Sequence, residues 1–351
     1  MTTISRSQDK NSTPLNIVSV FAPAKINLYF DILSKRADGY HEILTLFQAL
    51  DLHDILTFEF SAEDNTSAES DEIKITLAKG QDSIENMLFP SDNKNSISHA
   101  IKLFLSALPA KPNMKIKIEV EKNIPIGAGL AGGSTDAAAT LVALNHYFNQ
   151  PFTNDKLLDL ASQVGSDVSF CLLGGTAIGS GRGEQLEALI EKPEYHFVLV
   201  KPRSLSVSTP WAYAMYDQFI ESQNADELEP HSISKLLSAL KFDSKIEKHA
   251  TLFWNAFQSI IFKEYPILVE IKKRLMDLGC ISAHLTGSGP TIYGLVGNEE
   301  EGQRILKEIQ SRSIESNADY QSYQEKMVDT WLTKSMDKGV HILPHKVKQG
   351  K

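Results

Sequence analysis

Cysteine is scarce in this chain. Only Cys171 and Cys280 occur, and neither has another Cys or a His at metal-ligand spacing. That scarcity excludes a zinc site and a disulfide framework, leaving two reduced, buried thiols of the kind expected in a cytoplasmic protein. No uninterrupted apolar run approaches the roughly 20 residues of a membrane span, so a soluble protein with no membrane partner is expected. The opening Met1 to Asn16 lacks the apolar core of a secretory signal and is short for a transit peptide; it reads as a frayed end. A basic surplus is missing too, since 35 Lys and Arg stand against 44 Asp and Glu for a net charge of −9. Nucleic acid is therefore not an expected partner, and any anionic substrate must be met by local groups. No internal repeat or long low-complexity segment is present.

What remains is an ordinary globular composition, 42% hydrophobic and 23% charged over 351 residues, long enough for two packed cores. Ile17 to Leu33 reads as two extended pieces joined at a bend, Ala22-Pro23-Ala24, with Lys25 at that bend. After a polar turn from Ser34 to Gly39, Tyr40 to Leu52 and Ile55 to Phe60 look extended, and Ser61 to Glu72 looks like a solvated loop. Ile97, Ile101, Leu105 and Leu108 give Asn95 to Leu108 helical periodicity, whereas Met114, Ile116, Ile118 and Val120 alternate as a half-buried strand does. An alanine-rich helix is expected from Asp136 to Phe148, and a second one after Thr153 as its N-cap. Beyond Glu191 come a strand at Phe197 to Val200, several helices over Pro210 to Leu278, and a strand pair within Ile281 to Leu295. The fold class expected is α+β, with units at 17–191 and 192–312 and an extension at 313–351.

Between strand and helix lies Gly127-Ala128-Gly129-Leu130-Ala131-Gly132-Gly133-Ser134-Thr135. A glycine-rich turn into a helix start lets amide N–H groups converge on an anion, and absent side chains let a phosphate reach the backbone. Gly127, Gly129 and Gly132 also fit the dinucleotide pattern G-x-G-x-x-G, but Pro125 follows the strand and no acid-tipped strand comes about 20 residues later. Gly133 stands where a P-loop needs its lysine, and the partner motifs of protein kinases are missing.

The run Pro125-Ile126-Gly127-Ala128-Gly129-Leu130-Ala131-Gly132-Gly133-Ser134-Thr135-Asp136-Ala137-Ala138 resembles the ATP loop of the galactokinase, homoserine kinase, mevalonate kinase and phosphomevalonate kinase superfamily. Pro23-Ala24-Lys25-Ile26-Asn27-Leu28 and Leu285-Thr286-Gly287-Ser288-Gly289-Pro290 resemble its first and third motifs, in the same order. Arg36-Ala37-Asp38-Gly39-Tyr40-His41-Glu42 resembles a signature of the branch that phosphorylates a cytidine-diphosphate-linked polyol in the non-mevalonate isoprenoid route. The likeness spans Ile17 to Ser311.

The resemblance implies a two-domain kinase with its active site in the cleft between domains. ATP is the implied donor, held by residues Pro125 to Thr135, with Mg2+ expected and Ser134 or Thr135 as the candidates to touch it. Asp136, just after the loop, reads as a charge on the helix dipole. Asp167 is implied as acceptor of the hydroxyl proton and Lys25 as its orienter and charge stabiliser. In isolation these two read as a turn or cap residue and a solvated strand-end charge. For the acceptor, the resemblance implies contacts from Asn27, Thr209, Gly287, Ser288 and Gly289, base stacking by Tyr40 and Tyr213, and base-edge reading by His41. Trp211 competes with Tyr213 for the second face. The alternatives are another kinase of the superfamily, of homoserine or mevalonate type, or a catalytically inactive nucleotide-binding relative. Asp38-Gly39-Tyr40-His41 argues against the first, and the retention of both Lys25 and Asp167 against the second.

Overall fold

The computed structural model describes residues 16–62, 72–78, 95–110, 112–189, 194–222, 232–242, 245–312 and 327–344. The expected frayed end before residue 16, most of the loop 61–72 and the boundary at Glu191 lie outside them. The first half runs β1 (Asn16–Lys35), β2 (His41–Ala62), β3 (Glu72–Leu77), α1 (Ser96–Ala107), β4 (Met114–Glu121), α2 (Gly132–Tyr147), α3 (Asn154–Val164), α4 (Val168–Leu173), β5 (Thr176–Ser180) and β6 (Gln185–Ala188). The second half runs β7 (His196–Pro202), α5 (Thr209–Ser222), α6 (Ile233–Phe242), α7 (Ile246–Ala250), β8 (Trp254–Asn255), α8 (Gln258–Glu264), α9 (Pro266–Asp277), β9 (Ser282–Leu285), β10 (Ile292–Val296), α10 (Glu299–Arg312), β11 (Val328–Lys334) and β12 (His341–Ile342). The class is α+β. One eight-stranded sheet has the order β12-β1-β2-β4-β3, with β5, β6 and β8 attached, and a second of four strands has the order β11-β7-β10-β9.

Two expectations about strands are corrected. The two extended pieces around Pro23 are one 20-residue strand, and the two runs after Tyr40 are one 22-residue strand paired with it. Pro23 does not break β1 because the pairing shifts register between Pro23 and Lys25, so the missing proline N–H falls at an irregularity of the ladder. That shift places Lys25 where its own N–H bonds Leu130 O at 3.1 Å, tying the strand to the glycine loop.

The expected helices form, with one displaced start. Asn95 caps α1 by accepting from Ile97 N at 2.9 Å, and Thr153 caps α3 by accepting from Lys156 N at 3.4 Å. The alanine-rich helix begins at Gly132, earlier than expected, because Ala131 takes a left-handed turn (φ 60°) that swings the glycine pair into the first helical turn. Its Ala137, Ala138, Ala139 and Ala143 are fully buried, and such small side chains let the helix lie close against β1.

The face of β7 and β10 carrying Phe197, Leu199, Tyr293 and Leu295 packs on Ala24, Ile26, Leu28 and Leu46 of the first sheet, so one apolar cluster joins the two sheets. The C-terminal segment, expected only as an extension, enters both: β11 pairs with β7, and β12 pairs with β1 at Val20 and Phe21. Between them Val340 N bonds Cys171 O at 2.9 Å, so the segment also clamps α4.

Candidate active site

A cavity of about 900 Å³ opens between the first sheet with its glycine loop and the α5 and 286–289 segments of the second half. It is bordered by Lys25 and Asn27 of β1, Tyr40 and His41 at the start of β2, every residue from Pro125 to Ser134, and Asp167. From the second half come Thr209, Tyr213, Gly287 and Ser288. Thr135 and Gly289 are not among the lining residues. Thr135 is fully buried in α2 and away from the cavity, which leaves Ser134 as the cavity-side candidate for metal contact. Gly289 sits behind, where an added Cβ would fall 2.7 Å from a Leu285 methyl.

Lys25 is only 4% exposed, and its Nζ lies 3.3 Å from Asp167 Oδ2, while the Asp167 side chain remains about one-third exposed. Asp167 occupies the N-cap position of α4 without bonding that helix through its side chain, so its carboxylate is left for the cavity. A relay fixes the lysine. Thr45 donates to Tyr29 O at 2.7 Å, Asn27 Nδ2 donates to Thr45 Oγ1 at 2.8 Å, and Lys25 Nζ donates to Asn27 Oδ1 at 2.8 Å. Asn27, expected as an acceptor contact, lines the cavity at 2% exposure with its amide engaged by both Lys25 and Thr45. The Phe47 ring, 5.5 Å from Nζ, closes the other side.

The glycine loop packs against the 286–289 turn. A Cβ on Gly129 would lie 2.8 Å from Thr286 O and 3.0 Å from Gly289 O, and its φ of 76° suits glycine alone. Gly129→Ala should therefore cost about 1–2 kcal/mol from the left-handed backbone, before the clash is added. Denaturant unfolding checks the stability loss, and calorimetry with ATP should show weaker binding. At the helix start Ala131 offers no side-chain cap, so the first amides of α2 are open to an anion from the cavity.

Beneath the loop lies a cluster the sequence reading missed. Lys122 is buried between Asp54 and Asp136, bonding Asp136 Oδ2 at 2.8 Å and Asp54 Oδ2 more closely. The Lys122 Nζ also lies 3.0 Å from where a Gly132 Cβ would stand. Asp136, expected as a charge on the helix dipole, is instead a buried ion-pair member, because α2 starts a turn earlier and carries it inward. Burial pushes its carboxyl up to about 7, against the opposing pull of Lys122. The spacing that could have pointed to Lys122 is its place three residues before Pro125.

Arg36 organises the turn before β2. It pairs with Asp38 and Glu42, Asp38 Oδ1 accepts from Tyr40 N at 3.1 Å, and Gly39 takes a φ of 86°. The turn leaves Tyr40 53% exposed, with the Arg182 guanidinium 4.9 Å from its ring centre. Tyr213 lines the cavity, while Trp211 packs edge-on with Tyr265 in the second core. Tyr40 and Tyr213, expected to sandwich a base, both line the cavity, and the Tyr213 ring also stacks on His41 at 4.5 Å and 18°. Thr209 Oγ1 and Ser288 Oγ lie 3.0 Å apart and join the start of α5 to the 286–289 turn.

Comparison with known proteins follows the same layout. Residues 95–175 match the model of the GHMP kinase N-terminal domain, and residues 236–314 match that of the GHMP kinase C-terminal domain. The chain is 39% identical over 284 residues to 4-diphosphocytidyl-2-C-methyl-D-erythritol kinase of Enterococcus faecalis, covering 81% of this chain and 92% of that protein. The chain belongs to the 4-diphosphocytidyl-2-C-methyl-D-erythritol kinase family. A crystal structure of 4-(cytidine 5'-diphospho)-2C-methyl-D-erythritol kinase superposes with a TM-score of 0.66 at 27% identity, covering 91% of this chain and 99% of that one. Homoserine kinase from Cytophaga hutchinsonii reaches a TM-score of 0.67 at 18% identity, over 96% of this chain and all of its own, and shares the fold. What distinguishes a 4-diphosphocytidyl-2-C-methyl-D-erythritol kinase from such a relative thus lies in side chains placed on a common frame.

Proposed function

We propose that this protein transfers the γ-phosphoryl group of ATP to the 2-hydroxyl of 4-diphosphocytidyl-2-C-methyl-D-erythritol, a step of the non-mevalonate route to isoprenoid precursors. The observation that carries the reading is the Lys25–Asp167 pair at the floor of a cavity bordered by an uncapped, glycine-rich helix start. Phosphoryl transfer asks a protein mainly for positioning and charge stabilisation, because the transition state is loose and its charge is spread over phosphate oxygens. Asp167 accepts the proton of the attacking hydroxyl. Lys25, held by Asn27, orients that carboxylate and stabilises negative charge growing on the oxygen. The amides of Gly132, Gly133 and Ser134 face the phosphates of ATP at the positive end of α2.

Among the described residues there is no group of three or more His, Cys, Asp or Glu that could hold a metal. Ser134, which borders the cavity at the glycine loop, is the group of this chain that would hold a magnesium ion brought in on the nucleotide phosphates. Bound there, it offsets phosphate charge. Both cysteines are free and buried, in keeping with a reducing compartment such as the cytoplasm.

The acceptor's base stacks on the exposed face of Tyr40. An aromatic under a base is worth about 1–3 kcal/mol by alanine substitution, so Tyr40→Ala should weaken acceptor binding roughly ten- to a hundredfold and leave ATP affinity unchanged. Tyr40→Phe should retain most of the binding. Calorimetry with a folded variant checks this. The function itself is tested by offering ATP with the cytidine-linked polyol, mevalonate and homoserine. Turnover of the cytidine-linked acceptor is expected; turnover of mevalonate or homoserine alone would overturn the substrate while keeping the reaction class.

A further inference from the structure

His41 opens β2 with its side chain only 7% exposed, yet it borders the cavity. Its Nε2 lies 2.7 Å from Oδ1 of Asp217, which projects from α5 in the second half of the chain. The other carboxylate oxygen of Asp217 accepts from Lys35 Nζ at 2.7 Å. Burial works to raise the Asp217 carboxyl, but the bonds from Lys35 and His41 outweigh it and hold the group below its ordinary range. An ionised carboxylate can only accept hydrogen bonds. Nε2 is therefore the nitrogen that carries the proton, and in the neutral ring Nδ1 is left as an acceptor. Among the hydrogen bonds of the described residues, Asp217 is the sole partner of this ring. Tyr213 stacks on the imidazole and is itself held edge-on by Phe257 at 5.0 Å, so the ring is clamped in its plane.

We propose that Asp217 sets the base specificity of the acceptor pocket: by holding His41 in its Nε2–H form, it presents Nδ1 as an acceptor to the exocyclic amino group of cytosine. Uracil places a carbonyl oxygen at the same point of its ring, so two acceptors would face each other. Asp217 itself acts through His41 and is a positioning residue. The spacing is legible afterwards: Asp217 stands four residues beyond Tyr213 on one helix, so the stacking ring and the carboxylate share a face. This inference rests on the acceptor reading given above.

The test compares the full-length protein with Asp217→Ala and Asp217→Glu, using ATP with cytidine-linked and uridine-linked forms of the acceptor. Nitrogen-15 NMR of the His41 ring, assigned by its disappearance in His41→Gln, reads the tautomer directly. The wild type should favour the cytidine form, with the proton on Nε2. Asp217→Ala should lose roughly ten- to a hundredfold in kcat/KM on the cytidine form, the scale of one buried polar group left unpaired. The loss should fall mainly in KM, the uridine form should change little, and the ring signal should become a tautomer mixture. Asp217→Glu should recover part of the preference. A wild-type ring protonated on Nδ1, or an alanine variant with an unchanged ratio of the two acceptors, would overturn the proposal. Equal use of both acceptors by the wild type overturns it alone, whereas use of neither overturns the acceptor reading with it.

Discussion

Asp167→Asn should lower kcat by about 10²–10⁴-fold, the usual contribution of a positioned general base. The amide keeps the size of the side chain and can still meet Lys25 through its oxygen, so the 3.3 Å contact is replaced and the cavity wall survives. What disappears is the charge and the proton acceptor. KM for both substrates should move little, because the lost interaction belongs to the transition state. Steady-state kinetics on a variant with a wild-type circular dichroism spectrum makes the measurement. A near-normal kcat with a raised KM would mean that Asp167 only binds substrate, and the mechanism proposed here would fall.

Lys122→Met should have the largest effect on stability. Lys122 is 5% exposed and stands between two carboxylates that are themselves almost entirely buried, Asp54 at 0% and Asp136 at 2%. Methionine fills much of the space but leaves two buried charges with no cation between them. Removing one partner of a buried ion pair costs about 3–5 kcal/mol. Asp54 retains the amides of Asn123 and Ile124 at 2.6 and 2.8 Å, so Asp136 bears most of the deficit. Its carboxyl already sits at about 7 with Lys122 in place. A carboxyl raised on folding stabilises most when protonated, and that contribution is lost as pH rises through the folded value. The variant's deficit should therefore shrink between about pH 8 and pH 5, read by urea unfolding at each pH. A deficit that grows toward acid would show that the cluster is not anionic after lysine is removed.

The glycine loop was legible in the sequence because its chemistry depends on residues that are close along the chain, whereas Lys25 and Asp167, far apart along it, were singled out only by the motifs in which each resembles the kinase superfamily. Gly129 and Gly132 announce a turn that admits phosphate, and Pro23-Ala24-Lys25 announces a bend in a strand. The long β1–β2 pairing was less legible. Periodicity sees Pro23 as a break, whereas the ladder absorbs it by shifting register, and only the partner strand reveals that.

Side chains whose roles depend on distant partners stayed hidden. The sequence marks Asn27 only as a candidate ligand for the acceptor, and its bonds to Thr45, eighteen positions on, and to Lys25 are visible only in the fold. Asp136 looks like a helix-end charge until Lys122 and Asp54 are seen beneath it. Tyr213 and His41 were expected as base contacts, and only the tertiary structure shows that their rings also stack on each other. By itself the sequence determined the class of fold and a glycine-rich helix start suited to an anion, since these follow from local backbone needs, while Lys25 and Asp167 were proposed for phosphoryl transfer on resemblance. Only the tertiary structure decided which groups position them: Asp217 meets His41 across 176 residues of chain and Thr286 meets Asn27 across 259. Contacts of that range are fixed by how the two sheets pack, and no local pattern of residues encodes the angle at which they meet.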